Sequence, residues 1–144
     1  MPGGLLTRID HVGIAVADLD RAVDVYTRTF GLTVAARETH DDQGVREAML
    51  LVADAPPGSS YVQLLEPLRA DSPVGRFLQR RGEGLHHVGY GVLDLAAALG
   101  QLAGAGITLV DERPRHGSMG AAIAFLHPRD LSGVLTELVQ AAAR

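Results

Sequence analysis

The sequence contains no cysteine, no lysine and no tryptophan, and each absence excludes a kind of chemistry. Without cysteine there are no disulfides, thiolate metal ligands or cysteine nucleophiles. All 13 basic residues are arginine, so neither a Schiff-base lysine nor a lysine general base is available. Three tyrosines and three phenylalanines are too few to form a stacking platform for single-stranded nucleic acid.

Charge and hydropathy patterning limit the partners further. A net charge of −4 and the lack of a basic run argue against nucleic acid as the main partner. No apolar run approaches the ~18–20 residues that cross a membrane, so no membrane partner is expected. The first eight residues lack the features of a secretory signal, so we expect a cytoplasmic protein. The 144 residues, 47% of them hydrophobic, predict a single domain over residues 1–144.

The most informative feature that is present is an internal repeat. Residues 9–19 (IDHVGIAVADL) return at residues 85–95 as LHHVGYGVLDL, with His, Val, Gly, Val, Asp and Leu identical. A repeat of this length predicts two copies of one supersecondary unit. Because an apolar strand needs no imidazole, the repeated histidine, His11 and His87, indicates a site near the pseudo-two-fold axis of the copies. The repeat also selects His87 rather than His86 as the counterpart of His11.

Each copy has the pattern of a strand, a helix and three further strands. Asp18 and Asp94 stand at helix N-caps, and Gly31 and Gly106 follow the expected helix ends. The later strands are expected at 32–39, 45–52 and 60–66 in the first copy, and at 107–112, 121–126 and 133–139 in the second.

A short helix is expected from Ser72-Pro73 to about Arg81, closed by Gly82. It lies in a linker, residues 68–83, that joins the repeats 7–67 and 84–140. The predicted architecture is therefore α+β: tandem βαβββ repeats forming a curved, barrel-like mixed sheet with flanking helices.

Four polar side chains stand inside apolar strands at matched places in the two copies. The repeat pairs His11 with His87, and its extension to the last strand of each copy pairs Gln63 with Glu137. Buried polar groups cost roughly 1–3 kcal/mol each unless they find partners. Taken singly, each residue also fits an ordinary core or solvated position. Together, imidazole nitrogen, amide oxygen and carboxylate suit a divalent ion such as Co, Ni, Zn or Mn, so the set predicts a metal site.

Glu47 breaks the internal symmetry. Strict alternation along its strand puts it on a face with Met49 and Leu51, while its counterpart in the second copy, near Ile123, is apolar. A charge added to a symmetric scaffold is expected of a catalytic group. The alternative is a solvated glutamate at a strand end, paired with Arg46 or Arg37.

Six motifs carry a resemblance to a known family: IDHVG at 9–13, QGV at 43–45, QLLEP at 63–67, GEGLHH at 82–87, FLHP at 125–128 and GVLTEL at 133–138. From about residue 7 to residue 140, the chain resembles the methylmalonyl-CoA epimerase family of the vicinal-oxygen-chelate superfamily. The resemblance implies metal ligation by His11, Gln63, His87 and Glu137. It also implies general-base catalysis by Glu47, and we expect Glu137 to be the second acid–base group.

The implied reaction interconverts (R)- and (S)-methylmalonyl-CoA by metal-assisted removal of the α-proton. The implied cofactor is a divalent metal, with cobalt ahead of nickel, zinc and manganese. The implied partners are the CoA thioester and a second copy in a homodimer, in propionate metabolism. The CoA phosphates need cations, and the sequence does not choose among Arg76, Arg80, Arg81, Arg113 and Arg115. The alternatives are a glyoxalase I-type lactoylglutathione lyase and a metal-free small-molecule binding protein of the same fold.

Overall fold

The computed structural model describes residues 4–143. The start of the chain, on which part of the expectation about a secretory signal rests, lies outside the described residues. The described chain divides into two compact units, residues 11–86 and residues 4–10 together with 87–143. The prediction of a single domain stays a prediction.

The first copy of the repeat forms the predicted strand, helix and three strands. Its elements are β1 (Arg8–Ala15), α1 (Leu19–Phe30), β2 (Thr33–His40), β3 (Val45–Leu51) and β4 (Tyr61–Pro67). The strand order is β2-β3-β4-β1, with β1 parallel to β4 and the other pairs antiparallel. The linker then forms α2 (Pro73–Arg81), which begins and ends where the Ser72-Pro73 and Gly82 signals predict.

The second copy follows the same plan with shorter strands. Its elements are β5 (Gly84–Gly91), α3 (Leu95–Gly104), β6 (Arg115–His116), β7 (Ala122–Leu126) and β8 (Thr136–Gln140). The strand order is β5-β8-β7-β6, with β5 parallel to β8. The N-terminal segment belongs to this unit, because Thr7 N donates to Gly91 O at 2.8 Å.

The helix caps lie where the sequence predicts them. Asp18 accepts the backbone N–H of Arg21 at 3.1 Å, and Asp94 accepts that of Ala97 at 3.0 Å. Gly31 ends α1 in the left-handed conformation with φ 71°, which glycine adopts without a Cβ clash. None of the helices in residues 4–143 has the length and hydropathy of a membrane span.

Two strand predictions in the second copy are wrong in extent. Within residues 107–112, only an isolated bridge between Leu109 and Leu126 forms. There the Asp111 carboxylate takes the backbone N–H of Phe125 at 2.8 Å, so a side chain occupies a donor that a regular ladder would use. The last strand begins at Thr136 rather than 133, because residues 128–130 form a 3₁₀-helix and Gly133 is left-handed with φ 80°.

In each unit, one face of the sheet packs against the helix that follows the first strand of the repeat, α1 or α3. The apolar residues that pack against α1 are Val16, Ala48, Leu50 and Leu64. Those that pack against α3 are Val92, Ala124, Leu126 and Leu138. Since strand side chains alternate, the residues between them project from the opposite face, and that face carries the polar residues singled out by the sequence.

Candidate active site

The face of the sheet opposite α1, in the unit formed by residues 11–86, holds three of the predicted site residues. His11, Glu47 and Gln63 are all buried, with 2%, 2% and 5% of their surface exposed. His11 pairs in register with Tyr61, and Gly13 with Gln63, so His11 and Gln63 lie on one face two residues apart along neighbouring strands. Met49 pairs with Gln63 across β3 and β4, which puts Glu47 on the same face.

Glu47 is bound at both carboxylate oxygens. Gln63 Nε2 donates to its Oε2 at 2.7 Å, and His40 Nε2 lies 2.5 Å from its Oε1. The alternative of a solvated Glu47 paired with arginine is not what the structure shows. Arg46 instead pairs with Glu66 at 2.6 Å, and Arg37 pairs with Asp20 at 2.9 Å.

The face of the sheet opposite α3, in the other unit, holds the remaining predicted ligands. His87 and Glu137 are buried, and each presents a ligand atom within 4.8 Å of the other's. The Phe125 ring packs edge-on against the His87 imidazole, with ring centroids 5.4 Å apart, and Phe125 pairs in register with Glu137. The two candidate ligands therefore share one buried, partly aromatic environment.

The strand registers make Gln63 and Glu137 equivalent, as the repeat predicts. Gly13, two residues after His11, pairs with Gln63, and Gly89, two residues after His87, pairs with Glu137. In both units a glycine without a side chain thus lies beside the polar residue, which keeps the space next to that residue open.

A family model for the glyoxalase/bleomycin resistance protein/dioxygenase superfamily matches residues 10–125. The chain belongs to this superfamily. Because solved members of the same fold match it over nearly its whole length, the predicted α+β fold of tandem βαβββ repeats is confirmed.

Three relatives of this superfamily member are informative. The chain is 36% identical to the ethylmalonyl-CoA/methylmalonyl-CoA epimerase of Cereibacter sphaeroides, over 94% of this chain and 99% of that one. It is 51% identical to a solved methylmalonyl-CoA epimerase in complex with methylmalonyl-CoA and NH4+, with a TM-score of 0.91 and 96% of each chain covered. The Mycobacterium tuberculosis methylmalonyl-CoA epimerase structure is 43% identical, with a TM-score of 0.91, covering 99% of this chain and 93% of that one.

One residue of this superfamily member's site was missed by the sequence analysis. His40, at the end of β2, contacts Glu47 and also lies 3.4 Å from Glu38 Oε1. Glu38 and His40 are two residues apart on β2 and therefore lie on the same face. Glu38 pairs in register with Glu47. The turn sequence at residues 41–44 could have revealed this contact. A four-residue hairpin loop there pairs His40 with Val45 and so brings His40 near Glu47.

The histidine beside His87 has a different environment. The ring of His86 packs edge-on against Phe77 of α2, with centroids 5.1 Å apart. Burial lowers the pKa of His86 to about 4, so it is neutral near pH 7. The repeat therefore distinguished His87 from His86, and the structure gives the two side chains different neighbours.

Proposed function

We propose that this chain is a methylmalonyl-CoA epimerase. The reaction removes the proton from the carbon between the thioester and the carboxylate and returns a proton on the other face. The observation that carries the proposal is Glu47, a carboxylate that is 2% exposed yet held on the same sheet face as His11 and Gln63. The names of the relatives, at 36–51% identity over nearly the whole chain, support the substrate.

We propose that His11, Gln63, His87 and Glu137 hold a divalent metal. Support comes from the donor set, which combines two imidazoles, an amide oxygen and a carboxylate, all buried. The proximity of the His87 and Glu137 ligand atoms, within 4.8 Å, fits two ligands of one ion. When bound, the metal supplies Lewis-acid stabilisation of the negative charge that develops on the substrate's oxygens.

Gln63 would contact both the general base, Glu47, and the metal. Its Nε2 donates to Glu47, and its carbonyl oxygen is the atom through which an amide ligates a metal. With a metal held at the site, the same side chain would connect the general base to the metal ligands. Such positioning lowers the barrier because the reacting carbon is presented to the base in one geometry.

Glu47 is proposed as the general base on one face of the α-carbon. An ionised carboxylate is an acceptor at both oxygens, and the contacts with Gln63 and His40 hold these oxygens in place within the buried site. Glu137 is proposed for the opposite face, although a carboxylate that also ligates a metal is a poorer base.

The substrate's negative charges need a cation, and Arg115 is our choice among the five candidate arginines. Its guanidinium lies 5.6 Å from the centroid of the Phe125 ring, the same ring that packs against His87. Asp111 Oδ2, 3.3 Å from Arg115 Nε, orients it. An arginine stacked on an aromatic ring keeps its remaining N–H donors available to a carboxylate or phosphate.

Exchange of the α-proton with solvent deuterium tests the proposal directly. Wild-type protein in D2O should incorporate deuterium at the α-carbon of methylmalonyl-CoA, observed by proton NMR. Glu47→Gln should abolish the exchange and leave the bound metal unchanged. The matched control is Glu66→Gln, which removes a carboxylate that pairs with Arg46 and should keep full exchange.

Three outcomes would contradict all or part of the proposal. Full exchange in Glu47→Gln would remove Glu47 from the mechanism. Turnover of a glutathione hemithioacetal, with none of methylmalonyl-CoA, would replace the epimerase with a glyoxalase. Pure active protein without metal would leave only a metal-free variant of the reaction.

Finer features of this function are also proposals. We propose cobalt as the preferred ion, with nickel, zinc and manganese as substitutes, and a cytoplasmic enzyme of propionate metabolism. We also propose a homodimer, as the family resemblance implies. Metal analysis and sedimentation of the pure protein test the ion and the dimer.

A further inference from the structure

We propose that His40 is a positioning residue for Glu47, an inference that rests on the function proposed above. His40 Nε2 lies 2.5 Å from Glu47 Oε1, and the His40 side chain is only 17% exposed. The two atoms lie well within ion-pair distance of each other. His40 therefore holds one oxygen of the carboxylate while Gln63 holds the other.

Two contacts restrict a torsion that is otherwise soft. The last torsion of a glutamate side chain joins an sp³ carbon to an sp² carbon, and its preferences are broad. A contact at one carboxylate oxygen resists rotation less than contacts at both oxygens do. With His40 on Oε1 and Gln63 on Oε2, the plane of the carboxylate is set. A base with a set plane meets the α-proton in a single orientation, which is the requirement for efficient proton transfer.

The second copy of the repeat indicates that His40 and Glu47 form one functional pair. Glu47 pairs with Leu65 as Ile123 pairs with Val139, so Ile123 is the structural counterpart of Glu47. His40 pairs with Val45, and the corresponding position opposite Ala121 is Gly117, whose N–H donates to Ala121 O at 2.9 Å.

Both members of the pair are thus changed together in the second copy. A Cβ on Gly117 would meet Ile123 Cγ2 at 2.5 Å, so the isoleucine occupies the space that a side chain at position 117 would need. One copy carries imidazole and carboxylate, and the other carries isoleucine and a glycine. A histidine that only filled space would have no reason to accompany the carboxylate.

The experiment compares His40→Gln with His40→Leu in the full-length, metal-loaded protein. Glutamine presents a donor nitrogen at about the reach of the histidine Nε2, whereas leucine fills the space without a donor. His40→Leu should lower kcat roughly 10²-fold, the penalty for a reacting group displaced by about 1 Å, while KM stays near that of wild type. His40→Gln should restore most of kcat.

A purely structural role predicts no recovery of kcat with glutamine, because such a role depends on filled volume and not on a donor nitrogen. Thermal unfolding of both variants separates lost stability from lost positioning. His127→Gln is the matched control: the His127 Nδ1 accepts the backbone N–H of Arg129, and its loss should leave kcat unchanged.

Each of the following results would decide whether His40 positions Glu47. Full activity of His40→Leu, or equal losses in the leucine and glutamine variants, would overturn the positioning role. So would a second metal ion per chain that disappears in His40→Leu, because Glu38, His40 and Glu47 would then be a metal site. If wild type epimerises and Glu47→Gln does not, the proposed function stands whatever His40 does. Inactive wild-type protein would overturn both proposals.

Discussion

Replacing Glu47 with leucine should destabilise the protein, although the change removes a buried charge. Glu47 is 2% exposed and contacts Gln63 Nε2 at 2.7 Å and His40 Nε2 at 2.5 Å. Leucine takes the acceptor away from Gln63 Nε2 and removes the nearer of the two carboxylates beside His40 Nε2. The unpaired Gln63 donor costs about 1–3 kcal/mol, and the lost His40 contact adds to it. Loss of the carboxylate's desolvation cost offsets part of this, which leaves about 2 kcal/mol.

Thermal unfolding of the metal-free protein, followed by circular dichroism, measures this cost. A loss of about 2 kcal/mol lowers Tm by roughly 4–8 °C in a chain of this size. The double variant Glu47→Leu/His40→Leu should regain part of the loss, because removing both partners of a buried polar pair is far less costly than removing one. The second copy, with Ile123 at the equivalent position, is a natural precedent for an apolar residue there.

Met49→Leu is the matched control for this cycle. Met49 is 3% exposed and lies two residues from Glu47 on the same face of β3. A volume-conserving apolar change there should cost less than about 1.5 kcal/mol. The reasoning would be refuted by a Glu47→Leu variant as stable as wild type, or by a double variant whose cost equals the sum of the two single changes.

Three further predictions follow from the site and its surroundings. Dialysis against a chelator should lower Tm and abolish α-proton exchange, and added cobalt should restore both; unchanged exchange would exclude a required metal. Gly89→Val should reduce bound metal by crowding Glu137, its register partner, whereas Gly100→Ala, where a Cβ meets no described atom within 4 Å, should not. The backbone N–H of Thr108 holds the pKa of Asp130 below its usual value, so Asp130 stabilises the fold above the unfolded-state pKa and this contribution is lost as pH falls through the folded-state pKa. Urea unfolding of Asp130→Asn should therefore show a shallower loss of stability in acid, and an unchanged slope would contradict it.

The internal repeat carried most of the correct structural predictions. Identical local signals fold alike, so Asp18 and Asp94 cap their helices in the same way. Matching strand registers then place Gln63 and Glu137 opposite equivalent glycines. These features depend on short-range chemistry and alternation, both of which are written in the order of residues.

The errors arose where side chains compete with backbone pairing. The predicted strand at 107–112 has the apolar alternation of a real one, but the Asp111 carboxylate captures the backbone N–H of Phe125. Likewise, the left-handed Gly133 delays the start of the last strand until Thr136. Hydropathy does not encode either event, because both depend on which atoms meet in three dimensions.

The sequence alone determined the repeat, the order of strands and helices, the polar residues set in apolar strands and the asymmetric charge at Glu47. Only the tertiary structure decided which groups surround that charge. Its contacts with His40 and Gln63 come from two neighbouring strands, and the contact with His40 depends on the register across one hairpin. A shift of one residue would turn His40 to the other face of the sheet, so the partner of the base is a property of strand pairing.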